Sequence, residues 1–220
     1  MTLPSVAEMR TIGIPVVHAV TTDEIVNRPD FIDTACAIMR VLGARGALHL
    51  RASRVAGARL QSLAEGLAAA QSLTGAWLIV NDRIDVALAS GARGAQLTSR
   101  SLTASDARIV APRLAIGASV HDAEEGRVAI ASGADWLVAS HTTPRTASAT
   151  EASRRSAWAA LLARSTTVPI IAIGGVQVEH VSALRDSGMH GVAVIRGIWD
   201  AANAEQAASD YLSAYDHVGV

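Results

Sequence analysis

The chain has 220 residues, half of them hydrophobic, with 3% aromatic and a formal net charge of −1. That length buries a sizeable core within one domain, and that charge gives no electrostatic case for nucleic acid or an anionic membrane. All 19 basic residues are arginine and Cys36 is the single cysteine, which excludes lysine Schiff-base chemistry, a lysine phosphate anchor and a disulfide framework. The stretch from Met1 to Glu8 has neither the positive region nor the apolar core of a signal peptide. No apolar run reaches membrane-spanning length, so a soluble, cytoplasmic protein is expected.

In chain order, residues 14–20 form the first predicted strand and 31–42 a helix, inside which Cys36 reads as a buried structural thiol. Gly43-Ala44-Arg45-Gly46-Ala47-Leu48 opens strand two, and 54–73 is helical. Strand three is 76–80, followed by a helix over 84–90 and by strand four in Gly91-Ala92-Arg93-Gly94-Ala95-Gln96-Leu97. Thr103 or Ser105 starts the next helix, strand five is 114–118, and Asp122-Ala123-Glu124-Glu125 reads as a capping box. Gly133-Ala134-Asp135-Trp136-Leu137 opens strand six; the polar stretch 140–150 reads as a loop placed to act as a lid. A helix over 151–164, strand seven over 169–173, strand eight from Gly188-Met189-His190-Gly191-Val192 and a helix near 199–215 complete the chain.

The strands are continuously apolar, as parallel strands buried on both faces are. The Gly-Ala-Arg-Gly-like segments recur at strands two, four, six and eight, each with its first glycine suited to a helix C-cap. This pattern predicts one α/β domain over residues 1–220, a single (β/α)₈ TIM barrel. Strand seven breaks into Gly174-Gly175 and strand eight into Ile195-Arg196-Gly197. Such loops bring backbone N–H groups close to phosphate oxygens, although ordinary glycine turns read the same way.

In this fold the strand C-termini converge on one mouth. His18, His49, His121 and His141 lie at or just beyond predicted strand ends, whereas His180, His190 and His217 do not. Imidazoles there suit proton transfer near neutral pH. Arg51, Asn81, Asp82, Gln96 and Ser119 add polar groups at further strand ends; Asp82 equally reads as a helix cap with Arg51 as its partner. The histidine spacings match no short metal motif, so no metal is expected.

His49-Leu50-Arg51, Asn81-Asp82-Arg83-Ile84-Asp85, Gly117-Ala118-Ser119-Val120-His121, Ala172-Ile173-Gly174-Gly175 and Gly191-Val192-Ala193-Val194-Ile195, in this order, resemble the thiamin phosphate synthase superfamily. One branch joins a pyrimidine diphosphate to a thiazole phosphate, using Mg²⁺ and cationic help for the leaving diphosphate. Asn81 and Asp82 match it. His49-Leu50-Arg51-Ala52-Ser53 lacks its lysine, Ser101 stands in place of its second aspartate, and Pro144-Arg145-Thr146-Ala147-Ser148 lacks its other lysine. The other branch, the TenI-type thiazole tautomerases, is similar at Gln96-Leu97, Arg100-Ser101, Ser119-Val120-His121 with Glu124-Glu125, His141 and His18. That resemblance implies a tautomerase, an isomerase without cofactor that aromatises a carboxylated thiazole phosphate. His121 is then the acid/base, with His18, His49, Arg51, Asn81, Asp82, Gln96, Ser119 and His141 around the ligand. Gly174, Gly175, Ile195, Arg196 and Gly197 bind its phosphate. The alternatives are the synthase, with Mg²⁺, a non-catalytic barrel that binds thiamin intermediates, or an unrelated phosphosugar isomerase. The expected partner is a small phosphorylated thiazole; helix faces rich in alanine and leucine hint at a homo-oligomer.

Overall fold

The structure is a computed structural model that describes residues 13–140 and 149–216. Eight parallel strands close into a barrel in sequence order: β1 (Val17–Val20), β2 (Gly46–Leu50), β3 (Trp77–Asn81), β4 (Gly94–Leu97), β5 (Ala115–Val120), β6 (Trp136–Ser140), β7 (Ile170–Ile173) and β8 (Gly191–Val194). The helices between them are α1 (Phe31–Leu42), α2 (Gly57–Thr74), α3 (Ile84–Ser90), α4 (Ala104–Val110), α5 (Ala123–Ala131), α6 (Ala149–Ser165), α7 (Val181–Asp186) and α8 (Arg196–Trp199), with α9 (Ala204–Asp216) following. The predicted (β/α)₈ TIM barrel is thus the observed fold. Several predicted boundaries move, with the first strand beginning at Val17 rather than residue 14 and the fifth running to Val120 rather than 118. The second helix begins at Gly57 rather than residue 54, and the helix predicted near 199–215 is two pieces, α8 and α9.

Local signals account for the helix ends. Gly43, Gly91, Gly133 and Gly188 all take positive φ where helices turn into strands, as the repeated segment requires. Thr103 caps α4 by accepting from the Asp106 N–H, and Asp122 caps α5 by accepting from the Glu125 N–H. The predicted capping box at α5 is only half formed. Glu125 Oε2 bonds the His121 N–H, one residue before the cap, at 2.7 Å.

Period-2 geometry divides the apolar side chains into two clusters. The larger lies between the strands and the helices. The smaller fills the barrel with Val20, Ala47, Trp77, Ile79, Trp136, Val138 and Ile171 among others. With so few aromatics in the chain, Trp77 and Trp136 supply much of that interior volume, edge to face with ring centroids 6.4 Å apart. Glycine makes the room: a Cβ on Gly117 would collide with the Trp136 ring and with Gln96 Oε1.

Candidate functional site

The same alternation that points Trp77 and Trp136 inward also turns His18, His49, Asn81, Gln96 and Ser119 to the barrel interior. His18 Nε2 lies 2.8 Å from the Pro15 carbonyl, which can only accept. Nε2 therefore carries the proton and Nδ1 is the bare nitrogen. That nitrogen sits 2.8 Å from His49 Nε2, which must donate. Burial pushes the His18 imidazole down to about 4 against the favourable Pro15 bond, with His190 adding a smaller repulsion. Burial also holds His49 well below the ordinary histidine range, with the His18 ring as the second cause. Both rings are neutral across the physiological range, and buried Asn81 lies beside His49. Its Oδ1 has no hydrogen-bond partner among the described residues.

On the other side of the interior, Trp136 Nε1 donates to Gln96 Oε1 at 2.9 Å, and Gln96 Nε2 donates to Ser119 Oγ at 3.0 Å. Trp136 and Gln96 are buried, and Ser119 is half-buried near the end of β5. In the sequence Trp136 stands only within the segment that opens strand six, with no polar role expected of it. The available signal was the lone glycine inside strand five, which marks a close approach.

At the mouth, Asp82 takes a φ of 61°, the only positive φ outside glycine among the described residues. Its Oδ1 accepts from the Thr98 N–H at 3.1 Å, the Thr98 hydroxyl at 2.8 Å and the Ser101 hydroxyl. Asp82 therefore neither caps α3, whose N-cap is Arg83, nor pairs with Arg51. The Arg51 backbone is instead clamped by buried Thr21. The Thr21 hydroxyl accepts from the Arg51 N–H at 2.8 Å and donates to its carbonyl at 3.0 Å. Thr21 went unread in the sequence, where a threonine directly after an apolar run was the signal.

Among the described residues no three His, Cys, Asp or Glu side chains gather as a metal cluster. At the mouth Asp82 offers a carboxylate with Oδ1 engaged and no hydrogen-bond partner on Oδ2 among the described residues. Magnesium ordinarily takes one or two carboxylates and completes its shell with water and substrate phosphates. Asp82 fits an ion held that way.

His121 is exposed just past β5, and its Nδ1 lies 3.0 Å from Glu125 Oε2. Gly174 and Gly175 have φ values of 119° and 64°, which only glycine adopts readily. Arg196 is exposed. Ile195, the N-cap position of α8, is partly buried and leads into Gly197. Gly197 has another reason to be glycine: a Cβ there would strike the Tyr211 hydroxyl. His141 and residues 141–148 of the expected lid lie outside the described residues. A cavity of about 380 Å³ opens at the opposite, N-terminal end, lined by Trp77, Arg113, Asp135 and His190. It is remote from the strand C-termini, where this fold places its chemistry.

A family model described as thiamine monophosphate synthase matches residues 17–198. The thiamine-phosphate synthase of Methanoculleus marisnigri is 36% identical over 182 residues, 81% of this chain and 85% of that protein. That of Chlorobium luteolum is 33% identical over 88% of this chain and 90% of its own. Among solved structures, the thiamine phosphate pyrophosphorylase of Pyrococcus furiosus superposes with a TM-score of 0.77 at 27% identity, covering 91% and 95% of the two chains. These findings overturn the expected tautomerase and with it the isomerase class. The similar proteins are named as synthases, although this chain lacks the two lysines of the synthase pattern.

Proposed function

The chain belongs to the thiamine monophosphate synthase family, and on that premise we propose that it is a transferase that joins a pyrimidine diphosphate to a thiazole phosphate. In this reaction the thiazole ring nitrogen forms a bond to the exocyclic carbon of the pyrimidine. The bond from that carbon to the diphosphate oxygen breaks, and diphosphate leaves with the electron pair. The observation that carries the reading is Asp82, a carboxylate at the barrel mouth, held in a left-handed backbone conformation by Thr98 and Ser101. Backbone held in a sparsely populated region by its surroundings clusters at functional sites.

The residues take roles that suit departure of an anion. Asp82 would hold a magnesium ion, whose positive charge, when bound, offsets charge gathering on the diphosphate. Arg51, fixed at its backbone by Thr21, supplies a guanidinium where the synthase pattern has its basic residues. Arginine binds phosphate oxygens in a bidentate manner, so absence of lysine does not remove the cationic help. His121, held by Glu125, would serve as a hydrogen-bonding group for the leaving diphosphate, because this reaction takes no proton from carbon. Gly174, Gly175, Ile195, Arg196 and Gly197 remain our candidates for the thiazole phosphate. His18, His49, Asn81, Gln96 and Ser119 form the floor beneath the rings.

The test is an assay with both substrates and Mg²⁺, following thiamine phosphate by chromatography and released diphosphate by a coupled reaction. We expect both products in equal amounts from the wild type, and a loss of roughly 100-fold in Asp82→Asn, the scale of one electrostatic stabiliser. No thiamine phosphate from folded wild-type protein would overturn the transferase reading.

A further inference from the structure

We infer that Trp136 and Gln96 are positioning residues that fix the Ser119 hydroxyl as a hydrogen-bond donor toward an acceptor atom of the bound ligand. The argument is one of permitted roles. An indole N–H can donate and never accept. It therefore settles which end of the Gln96 carboxamide faces Trp136: the oxygen, at 2.9 Å. The carboxamide nitrogen is left to face Ser119, and that group too can only donate. Ser119 Oγ accepts this bond and keeps its own proton for a second partner.

Burial makes this polarity stiff. Trp136 is 0% and Gln96 2% exposed, so a reversed carboxamide would set its N–H groups against the indole N–H, two buried donors without an acceptor. Register holds the three residues in place: Gln96 pairs with Gly117, and Gly117 with Trp136, on adjacent strands. Gly117 supplies the clearance, since a Cβ there would overlap both the indole and Gln96 Oε1. Among the described residues the Ser119 hydroxyl has no acceptor for its proton. It lies near the C-terminal end of β5, two residues before His121. The chain of bonds thus runs from a donor-only group inside the barrel to a donor aimed at ligand chemistry at the mouth. The complementary group is an acceptor oxygen or nitrogen, as on a phosphate, a diphosphate or a ring nitrogen.

The identity of the ligand in this inference rests on the transferase reading, so the test measures binding rather than turnover. Calorimetric titrations of the full chain would use thiamine phosphate and inorganic diphosphate as separate probes. Ser119→Ala removes the donor. Gln96→Glu keeps the shape but offers Ser119 an acceptor in place of a donor, which draws its proton inward. Trp136→Phe keeps an aromatic ring and releases the carboxamide from its fixed orientation.

For at least one probe we expect Ser119→Ala and Gln96→Glu each to weaken binding about five- to tenfold, the scale of one hydrogen bond, with Trp136→Phe smaller. The decisive arm is the double variants. In the Ser119→Ala background neither Gln96→Glu nor Trp136→Phe should weaken binding further, because their effect passes through the missing hydroxyl. A merely structural role would instead persist there and add. Trp136→Phe, which buries no charge, keeps the test open if Gln96→Glu fails to fold. Wild type that binds at least one probe, but neither more tightly than Ser119→Ala does, would overturn the inference and leave the transferase reading standing. Additive losses would overturn it as well. Wild type that binds neither probe would count against both, and the assay for thiamine phosphate would then show whether the transferase reading survives alone.

Discussion

His18 has no solvent-accessible surface, and the barrel holds it neutral. Its neighbour His49 needs a bare Nδ1 on His18 to donate to, so a proton there would break the bond as well as bury a charge. The unfolded chain pays neither penalty and protonates near the ordinary histidine value of 6.5. Between pH 6.5 and about 4 the unfolded state therefore binds more protons than the folded one, and stability falls as pH is lowered through that window. A depression of that size corresponds to about 3 kcal/mol lost by pH 4. Thermal melts from pH 7 to 4 should show this decline, and His18→Gln should make it shallower, with buried His49 keeping the rest. An equally steep decline in the variant would place the acid sensitivity elsewhere. At this scale the sequence was only partly legible. His18, His49, Asn81, Gln96 and Ser119 could be chosen because each is polar inside or just after an apolar run. Their pairing could not, because it depends on which strands lie side by side and at what register. Trp136 and Thr21 were missed for a different reason. A tryptophan in an apolar strand is ordinarily core, and its single N–H matters only once its neighbour is known.

The elements were easier to read than the side-chain pairs. Apolar runs, capping residues and the recurring glycine fix eight strands and most helix ends, because these signals are local. The C-terminal segment was the exception, since α8 stops after four residues and the chain turns at 200–203 before α9 begins. That break lets α9 reach back to the mouth. From α9, Tyr211 donates to the Val176 carbonyl at 3.0 Å, just beyond the glycine pair after β7. Gly197, after β8, leaves space for the same hydroxyl. One side chain thus braces both loops proposed to hold phosphate. Burial, with Glu179 as a smaller cause, pushes the phenol up to about 12, so it stays a donor at any working pH. Tyr211→Phe should cost about 1–3 kcal/mol by leaving a buried carbonyl unpaired. It should also raise the KM for the thiazole phosphate more than it lowers kcat. A stability loss with unchanged KM would make Tyr211 a packing residue only.

Closure belongs to the molecule as a whole, because a barrel has no edge strand only if its last strand finds its first. Here β8 pairs with β1 through Val17 and Val192, His18 and Ala193, and Ala19 and Val194. Two features just before these pairs tie the seam. The Val192 N–H donates to the Val16 carbonyl at 2.8 Å, and His190 Nε2 lies 2.7 Å from the Ile14 carbonyl. Gly191 sits at the crossing, where a Cβ would run into the Val16 backbone. Backbone on both sides cannot step aside as the end of a flexible side chain can, so Gly191→Ala must open the seam or distort β1. Distortion there reaches His18 directly, since Val17 and His18 follow Val16 in the same strand. We expect a loss of about 3 kcal/mol, at the upper end for an overpacked site, and a fall in Tm of roughly 6–12 °C. If the barrel is one cooperative unit, circular dichroism should report the same shifted midpoint as tryptophan fluorescence in a background where Trp158 and Trp199 are phenylalanine, so that Trp77 and Trp136 inside the barrel are the emitters. Separate midpoints would mean that the strands near the seam loosen before the tryptophan-packed side does. The barrel would then unfold in two parts rather than one.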